Sequence, residues 1–289
     1  MTRSSTGRWR SRAATALLLL PSGTWYVLLL LVPLVILVVF SFGGRAPEGG
    51  YRPDFTFDNY LELPTRATAF ANALWMAAAG TALCLLVGFP LAYVLATRAG
   101  RWRTLLLVLV VVPFWTSFLI RTYAWLTILG NYGIPSWLES LGFGRVVLLN
   151  TPFAVLLGIV YNYLPLMVFP LYVSLERLDK RLLEASKDLG AGRWATFRQV
   201  TLPLASAGVL SGVVLAFIPI MGEYIIPALL GGGKVFFIGN ALVDLFLQSR
   251  NWPLGSAAAM GLILIVLIAV TAYLRVGSRS GATRDVSLL

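Results

Sequence analysis

The stretch EASKDLGAGRWATFRQVTLP, residues 184–203, interrupts an otherwise apolar half of the chain. Five charged side chains, two glycines and a closing proline fall within these twenty residues. The neighbouring runs, residues 152–175 and 204–230, consist mainly of aliphatic and aromatic residues. Runs of that length and composition are typical of membrane-spanning helices, so we expect the charged stretch between them to lie in water.

The composition points the same way. Hydrophobic residues make up 58% of the 289 residues, charged residues only 12%, and the mean hydropathy is +0.81. In soluble domains about a quarter of the residues are charged, so this chain has too few to cover a water-facing surface. We therefore predict an all-α integral membrane protein with several spans of about 20 residues each.

Charge and residue usage exclude several classes of function. The net charge of +11 does not indicate nucleic-acid binding, because the basic residues are spread over short loops between apolar runs. The single Cys84 excludes an intrachain disulfide framework and indicates no metal site. The chain has no His, which excludes zinc sites and proton relays that need His.

We predict six transmembrane helices, at residues 23–42, 69–97, 104–120, 152–175, 204–230 and 254–275. The basic start and the apolar run after it are similar to a signal peptide. That run continues to about residue 42, however, and we interpret it as an uncleaved first span. Four prolines predict bends in the fourth and fifth spans, either around a cavity or through packing alone, namely Pro165, Pro170, Pro219 and Pro227.

The positions of Lys and Arg predict the orientation. With the N-terminus inside, sixteen of the 23 Lys and Arg residues fall on the cytoplasmic side and seven on the outer side. Because cytoplasmic loops of membrane proteins are enriched in these residues, we predict cytoplasmic N- and C-termini. The loop at 176–203, called the charged loop below, is then cytoplasmic. The outer segments 121–150 and 231–253 are half apolar, and we expect short helices in them at the outer interface.

The charged loop has signals for two short helices. Asp179 is expected to cap a helix over 180–189, and Gly190 suits the left-handed residue that ends it. A second helix is expected over 194–200, with Pro203 in the first turn of the fifth span. An ordered element of nearly thirty residues indicates a docking surface for a cytoplasmic partner. The alternative is an amphipathic loop that lies on anionic lipid.

The charged loop also contains a known pattern: Glu184-Ala185-Ser186, then Gly190, then Val200-Thr201-Leu202-Pro203. It resembles the EAA motif of ABC importer permeases, which reads E-A-A, three residues, G, nine residues and I-x-L-P. Ser186 and Val200 are mild departures from that motif. The likeness covers 68–277, which we expect to form the permease core. Residues 1–67 would add a cytoplasmic tail, the first span and an outer loop, and 278–289 a C-terminal tail.

Four further stretches resemble permeases of the spermidine/putrescine branch of this family. They are FTFDNY (55–60), PFWTSFLIRTYAW (113–125), GEYIIPALLGGG (222–233) and IGNALVDLFLQSRNWPLGSAAA (238–259). These stretches are less specific than the EAA motif. Branches that import iron, thiamine, sulfate or other organic cations share parts of them, so those solutes stay open as alternatives.

The resemblance implies a type I ABC importer permease with six transmembrane helices in the bacterial plasma membrane. Its charged loop would be the coupling helix that sits in a groove of a separate ATPase. This chain would then hydrolyse nothing and hold no cofactor, since the ATPase binds ATP and Mg. Other implied partners are a second permease subunit, identical or different, an extracytoplasmic solute-binding protein and the lipid membrane. The implied coupling residues are Glu184, Ala185, Ser186, Asp188, Gly190, Leu202 and Pro203.

Glu223 is the main candidate for a contact with the solute, because a carboxylate within a span usually faces a cavity or marks a pathway. For a cationic solute it would be a transient counter-ion, with the ring of Tyr224 beside it. It is equally open to hydration near the outer interface, or to pairing with Arg121. Weaker pathway candidates are Asn162, Trp115 and Tyr123, for which packing and interface positions are the alternative.

Two other classes of function remain for comparison. An autonomous secondary transporter would need ion-coupling residues within its spans, and these contain little beyond Glu223; it also leaves the charged loop unexplained. A membrane-bound enzyme would need a nucleophile with a base, or a metal site, and no such set is found. GGGK at 231–234 does not match the phosphate-loop pattern, because positions 228 and 235 are Ala and Val.

Overall fold

The computed structural model describes residues 18–279. Its helices are α1 Leu18–Ser41, α2 Asp58–Glu62, α3 Ala67–Thr97, α4 Arg103–Trp115, α5 Phe118–Leu129, α6 Ile134–Ser140, α7 Pro152–Glu176, α8 Lys180–Asp188, α9 Arg193–Leu204, α10 Ser206–Met221, α11 Ile225–Leu230, α12 Ile238–Gln248 and α13 Trp252–Arg279. Two short strands, β1 Gly44–Arg45 and β2 Tyr51–Arg52, pair antiparallel. The predicted tails at 1–17 and from residue 280 onward lie outside the described residues.

Four of the six predicted spans are single long helices. Helices long and apolar enough to cross a membrane cover Leu18–Ser41, Asp58–Thr97, Pro152–Glu176 and Trp252–Gly277. Two bent helix pairs bring the number of possible spans in the described part to six. The six-span prediction is therefore confirmed in number, with two spans broken. Pro165 and Pro170 lie inside α7, which continues through both.

The prediction of one continuous third span over 104–120 is wrong. Helix α4 ends at Trp115 and α5 begins at Phe118. The helical segments Gly100–Trp115 and Phe118–Ser140 meet there at an angle of 92°. The cause is local. Pro113 lies in the last turn, and Thr116 donates both its amide (3.2 Å) and its hydroxyl (2.7 Å) to the Pro113 carbonyl. Thr116 is then extended, with ψ 154°, and the helix cannot continue.

The predicted fifth span over 204–230 is also divided. The helix axis bends by 66° between Leu204 and Ser206, so Pro203 lies before the bend and not in the first turn of α10. The hydroxyl of Ser206 donates a hydrogen bond to the Pro203 carbonyl at 2.5 Å. Helix α10 continues through Pro219 and ends at Met221, and the separate α11 follows.

The chain forms two compact units. The first contains the described residues up to Leu63 together with Leu245–Met260. Aromatic rings pack together in this unit: the ring of Phe42 contacts those of Phe55, Phe57 and Tyr60 at centroid distances of 5.2–5.5 Å. Main-chain contacts support the same unit, for example the amide of Gly50 donating to the Arg250 carbonyl at 2.7 Å.

The second unit comprises Pro64–Asp244 and the described residues from Gly261 onward. Its core is a bundle of α3, α7 and α10, which pack on one another pairwise. Glycines make the close approaches in it. A Cβ at Gly80 of α3 would lie 2.6 Å from Ile159 of α7, and one at Gly212 of α10 would lie 2.8 Å from Met167 of α7. Small residues at helix contacts are the usual means of tight packing in membranes.

Gly208→Ala is expected to lower the stability of the protein. The new Cβ would lie 2.6 Å from the backbone oxygen of Pro170, which cannot turn aside as a side chain can. Overpacking of this kind costs about 1–3 kcal/mol. The control is Gly23→Ala, because no atom lies within 4 Å of its added Cβ. A thermal melt in detergent should show a lower Tm for the first variant alone; equal melting temperatures would contradict the packing described here.

Candidate functional site

The charged loop begins as predicted. Asp179 caps α8, its carboxylate accepting a hydrogen bond from the amide of Arg181 at 2.9 Å. The helix ends at Asp188 and the chain then reverses at Gly190, whose φ of +81° lies in the left-handed region. The left-handed glycine is thus confirmed. Nothing lies within 4 Å of a Cβ built on Gly190, so this turn faces open space.

The second helix of the charged loop is longer than predicted. Helix α9 runs from Arg193 to Leu204, where 194–200 was expected, and it contains a wide turn at Phe197–Thr201. The two helices are joined by a hydrogen bond of 3.1 Å between the hydroxyls of Ser186 and Thr196. Ser186 is one of the two departures from the EAA pattern, and an Ala there could not make this bond.

The charged loop exposes apolar side chains beside its charges. Leu189 is 89% exposed, and Leu182 and Trp194 are also exposed. Six of the seven residues implied for coupling lie on the surface of the second unit, namely Glu184, Ala185, Asp188, Gly190, Leu202 and Pro203. Exposed apolar side chains next to charges are typical of an interaction surface. The structure therefore leaves most of the residues implied for coupling open to a partner, and their role in coupling stays a prediction.

Glu223 lies at the break between α10 and α11. Its side chain is buried, at 6% exposed. One carboxylate oxygen accepts from the amides of Tyr224 (3.0 Å), Ile225 (2.8 Å) and Ile226 (3.3 Å). The other accepts from the hydroxyl of Tyr163 on α7. Glu223 thus caps α11 and ties it to α7, and both of its oxygens have partners.

Arg121 does not pair with Glu223 in the described part of the chain. It is also buried, at 7% exposed, and its guanidinium lies 5.5 Å from the ring of Phe114 and 5.9 Å from that of Phe118. Among the described residues, no hydrogen-bond acceptor meets its Nε or Nη1. The pairing of Arg121 with Glu223 that the sequence left open is therefore not made. The other alternative, a hydrated Glu223 near the outer interface, does not hold either, because this carboxylate is buried.

The other pathway candidates are dispersed. Tyr224 is half-exposed beside Glu223, and its carbonyl accepts from the side-chain amide of Asn240 at 2.8 Å. Asn162 is buried and donates to the Gly158 carbonyl one turn earlier at 2.9 Å. Trp115 and Tyr123 are exposed. Among the described residues, no ring contact or hydrogen bond links these two to Glu223, so their role in a pathway stays a prediction.

Sequence reasoning missed a polar cluster next to the charged loop. Arg103, at the start of α4, forms an ion pair with Glu176 at the end of α7 and donates to the hydroxyl of Tyr172. Its guanidinium also lies 5.1 Å from the Tyr172 ring centroid. The cluster joins α4 to the last turn of α7, from which the charged loop begins. No local signal marks it, because Arg103 and Tyr172 are 69 residues apart.

Comparison with known proteins agrees with these features. The family described as "Binding-protein-dependent transport system inner membrane component" matches residues 85–276. The chain belongs to this family, and it is a multi-pass inner-membrane transport subunit.

Two relatives in particular are similar along most of the chain. The spermidine/putrescine transport system permease protein PotB of Haemophilus influenzae is 40% identical over 257 residues, covering 87% of this chain and 90% of the relative. PotB of Escherichia coli is 38% identical over 257 residues, covering 87% and 93%.

Solved structures share the fold. A bacterial ABC transporter involved in the import of the acidic polysaccharide alginate contains a chain with a TM-score of 0.68 and 20% identity, covering 95% of this chain and 98% of that one. The same kind of transporter in complex with an alginate pentasaccharide-bound periplasmic protein gives a TM-score of 0.69 at 20% identity. The type I ABC importer permease fold is thus confirmed.

Tyr163→Phe is expected to destabilise the protein, because it leaves one buried oxygen of Glu223 without a donor. An unsatisfied buried acceptor costs about 1–3 kcal/mol, and more when it is charged. Tyr161→Phe, two residues away, is the matched control, since no described hydrogen bond uses its hydroxyl. The Tm in detergent should fall for Tyr163→Phe only. If both variants melt like the wild type, the Tyr163–Glu223 bond does not hold α11 to α7.

Proposed function

We propose that this chain is the permease subunit of an ATP-driven importer of polyamines such as spermidine and putrescine. The observation that carries the solute class is the identity of 40% to a spermidine/putrescine permease over 87% of the chain. In such an importer the subunit forms half of the translocation pathway. ATP is hydrolysed by a separate ATPase, and this chain holds no cofactor of its own.

The charged loop is the proposed point of contact with that ATPase. Glu184 is the polar contact, and exposed apolar side chains such as Leu189 fill the groove of the ATPase. Gly190 allows the reversal, since an L side chain is disfavoured at φ +81°. Closure of two ATPase subunits around ATP would then favour one of two arrangements of the spans.

Further proposed partners are a second permease subunit and an extracytoplasmic solute-binding protein. The family description, which names binding-protein-dependent transport, supports the latter. A solved structural neighbour was obtained in complex with a periplasmic protein, which supports it as well. The second permease subunit completes the pathway and is either identical or different. Iron, thiamine and sulfate are the alternative solutes.

The proposed pathway of a polyamine uses aromatic and carbonyl groups around the break at Glu223. Tyr224 is the exposed member of this region and offers a ring face to an ammonium group. Glu223, next to Tyr224 in the chain, supplies negative electrostatic potential while its carboxylate caps α11. A direct ion pair with the solute would require the carboxylate to leave Tyr163.

The experiment that tests the coupling role is co-purification of the chain with its ATPase from membranes. Gly190→Arg and Glu184→Lys should abolish ATPase binding or solute-stimulated hydrolysis, while insertion into the membrane stays intact. Gly190→Arg puts a long side chain on the docking surface and strains a left-handed position.

Gly144→Arg is the matched control for strain. Gly144 also has a positive φ, +74°, and no atom within 4 Å of its added Cβ, but it lies in a segment assigned to the outer side. It should therefore bind ATPase like the wild type. Full retention of binding and stimulated hydrolysis by Gly190→Arg would overturn the coupling role and favour an autonomous secondary transporter.

A further inference from the structure

Phe197, in α9 of the charged loop, lies between the exposed Trp194 of the same helix and Phe89 in the core of the second unit. Its ring stacks on Trp194 at 5.5 Å and meets the ring of Phe89 edge-to-face at 5.4 Å. Trp194 is exposed in the charged loop, whereas Phe89 is a buried residue of α3. Phe197 therefore contacts a residue of the proposed docking surface on one side and a helix of the bundle on the other.

The charged loop is fastened next to Phe197. The Ser186–Thr196 hydrogen bond, 3.1 Å long, ties α8 to α9 one residue before Phe197. Thr196 is itself buried, at 6% exposed, and the bond as a whole is partly buried. Movement of α8 therefore reaches α9 at the position of the Phe197 ring.

On the other side, Phe89 is next in sequence to Gly88, at which α3 packs closely on α7. The neighbouring Gly88 of α3 approaches Met167 of α7, and a Cβ there would lie 3.1 Å from Met167 Cγ. Gly212 of α10 approaches the same Met167, and a Cβ added there would lie 2.8 Å from the Met167 sulfur. Closely packed interiors transmit displacement because they have low compressibility. We therefore expect a displacement of Phe89 to reach α7 and α10 through the packing of α3 next to it.

The covalent connection is a poorer route for the same movement. Helix α9 contains the wide turn Phe197–Thr201, and its axis differs by 66° from that of α10. A bent connection with a wide turn can absorb displacement by changing its angle. The lateral contact between the Phe197 and Phe89 rings has no such hinge.

We propose that Phe197 is a positioning residue, through which displacement of the charged loop is passed to α3 and so to the three-helix bundle. This inference rests on the proposed function, because it assumes that an ATPase moves the loop. It adds a specific claim: docking of the ATPase and transmission of its movement use different side chains. Glu184 and Gly190 serve docking, and Phe197 with Phe89 serves transmission.

The test uses the complete importer in proteoliposomes with Phe197→Ala. ATPase binding and basal hydrolysis should match the wild type. The ratio of solute-stimulated to basal hydrolysis, and ATP-driven solute uptake, should fall roughly two- to thirtyfold, the range in which single contacts in a coupled network change coupling. Phe153→Ala is the control, because Phe153 is an exposed aromatic residue of α7 in the same unit.

A double variant sharpens the result. If the two rings act as one contact, Phe89→Ala should lower the stimulated-to-basal ratio, and Phe89→Ala with Phe197→Ala should lower it no further than the larger single effect. Phe197→Leu keeps a large apolar side chain at this position, so it separates loss of the aromatic contact from loss of folding. It should melt close to the wild type and still show a reduced ratio.

Two outcomes would overturn the inference while leaving the proposed function in place. One is a wild-type ratio in both Phe197→Ala and Phe197→Leu. The other is loss of ATPase binding in Phe197→Leu, which would make Phe197 a part of the docking surface. Failure of the wild-type chain to bind any ATPase would overturn the proposed function itself, and that result is visible before any variant is measured.

Discussion

Close contact between α3, α7 and α10 is the constraint on which the second unit depends. Between membrane helices there is no hydrophobic driving force, because lipid tails are as apolar as Leu side chains, and association depends on van der Waals packing. Gly80, Gly88, Gly208 and Gly212 let the backbones approach to distances that a Cβ would prevent. Because closely packed interiors have low compressibility, we expect a force applied at one end of the bundle to displace the three helices together.

The charged loop and the helix break at Glu223 both contact this bundle. The loop reaches it through the Phe197–Phe89 contact, and Arg103 holds the end of α7 beside the start of α4. The break reaches it through the hydroxyl of Tyr163. Buried carboxylates are costly unless they are hydrogen-bonded, and Glu223 is stabilised by four donors. We therefore interpret Glu223 first as a cap for α11, and as a source of negative potential for a cationic solute second.

The sequence was sufficient for the number of spans, for the helix of the charged loop capped by Asp179, and for the left-handed Gly190, because apolar runs and capping patterns are local. The break after Trp115 was missed, because hydropathy averaged over about 19 residues does not detect a local change in hydrogen bonding. The break after Met221 lies between Pro219 and Pro227, in a span where the prolines predicted a bend. The partners of Glu223 and Arg103 could not be predicted, because they are distant in sequence. Tyr163 is 60 residues from Glu223, and Tyr172 is 69 residues from Arg103. Pairing with Arg121 was one of the alternatives left open for Glu223, and the Tyr163 hydroxyl takes that place.

The most direct measurement is uptake of radiolabelled spermidine by proteoliposomes that contain this chain with the proposed second permease subunit, ATPase and solute-binding protein. We predict uptake that requires ATP on the ATPase side, that putrescine competes for, and that sulfate, thiamine and iron leave unchanged. The chain alone, under an imposed proton or sodium gradient, should take up nothing. Gradient-driven uptake by the chain alone, or ATP-driven uptake of one of the other solutes in place of spermidine, would contradict the account.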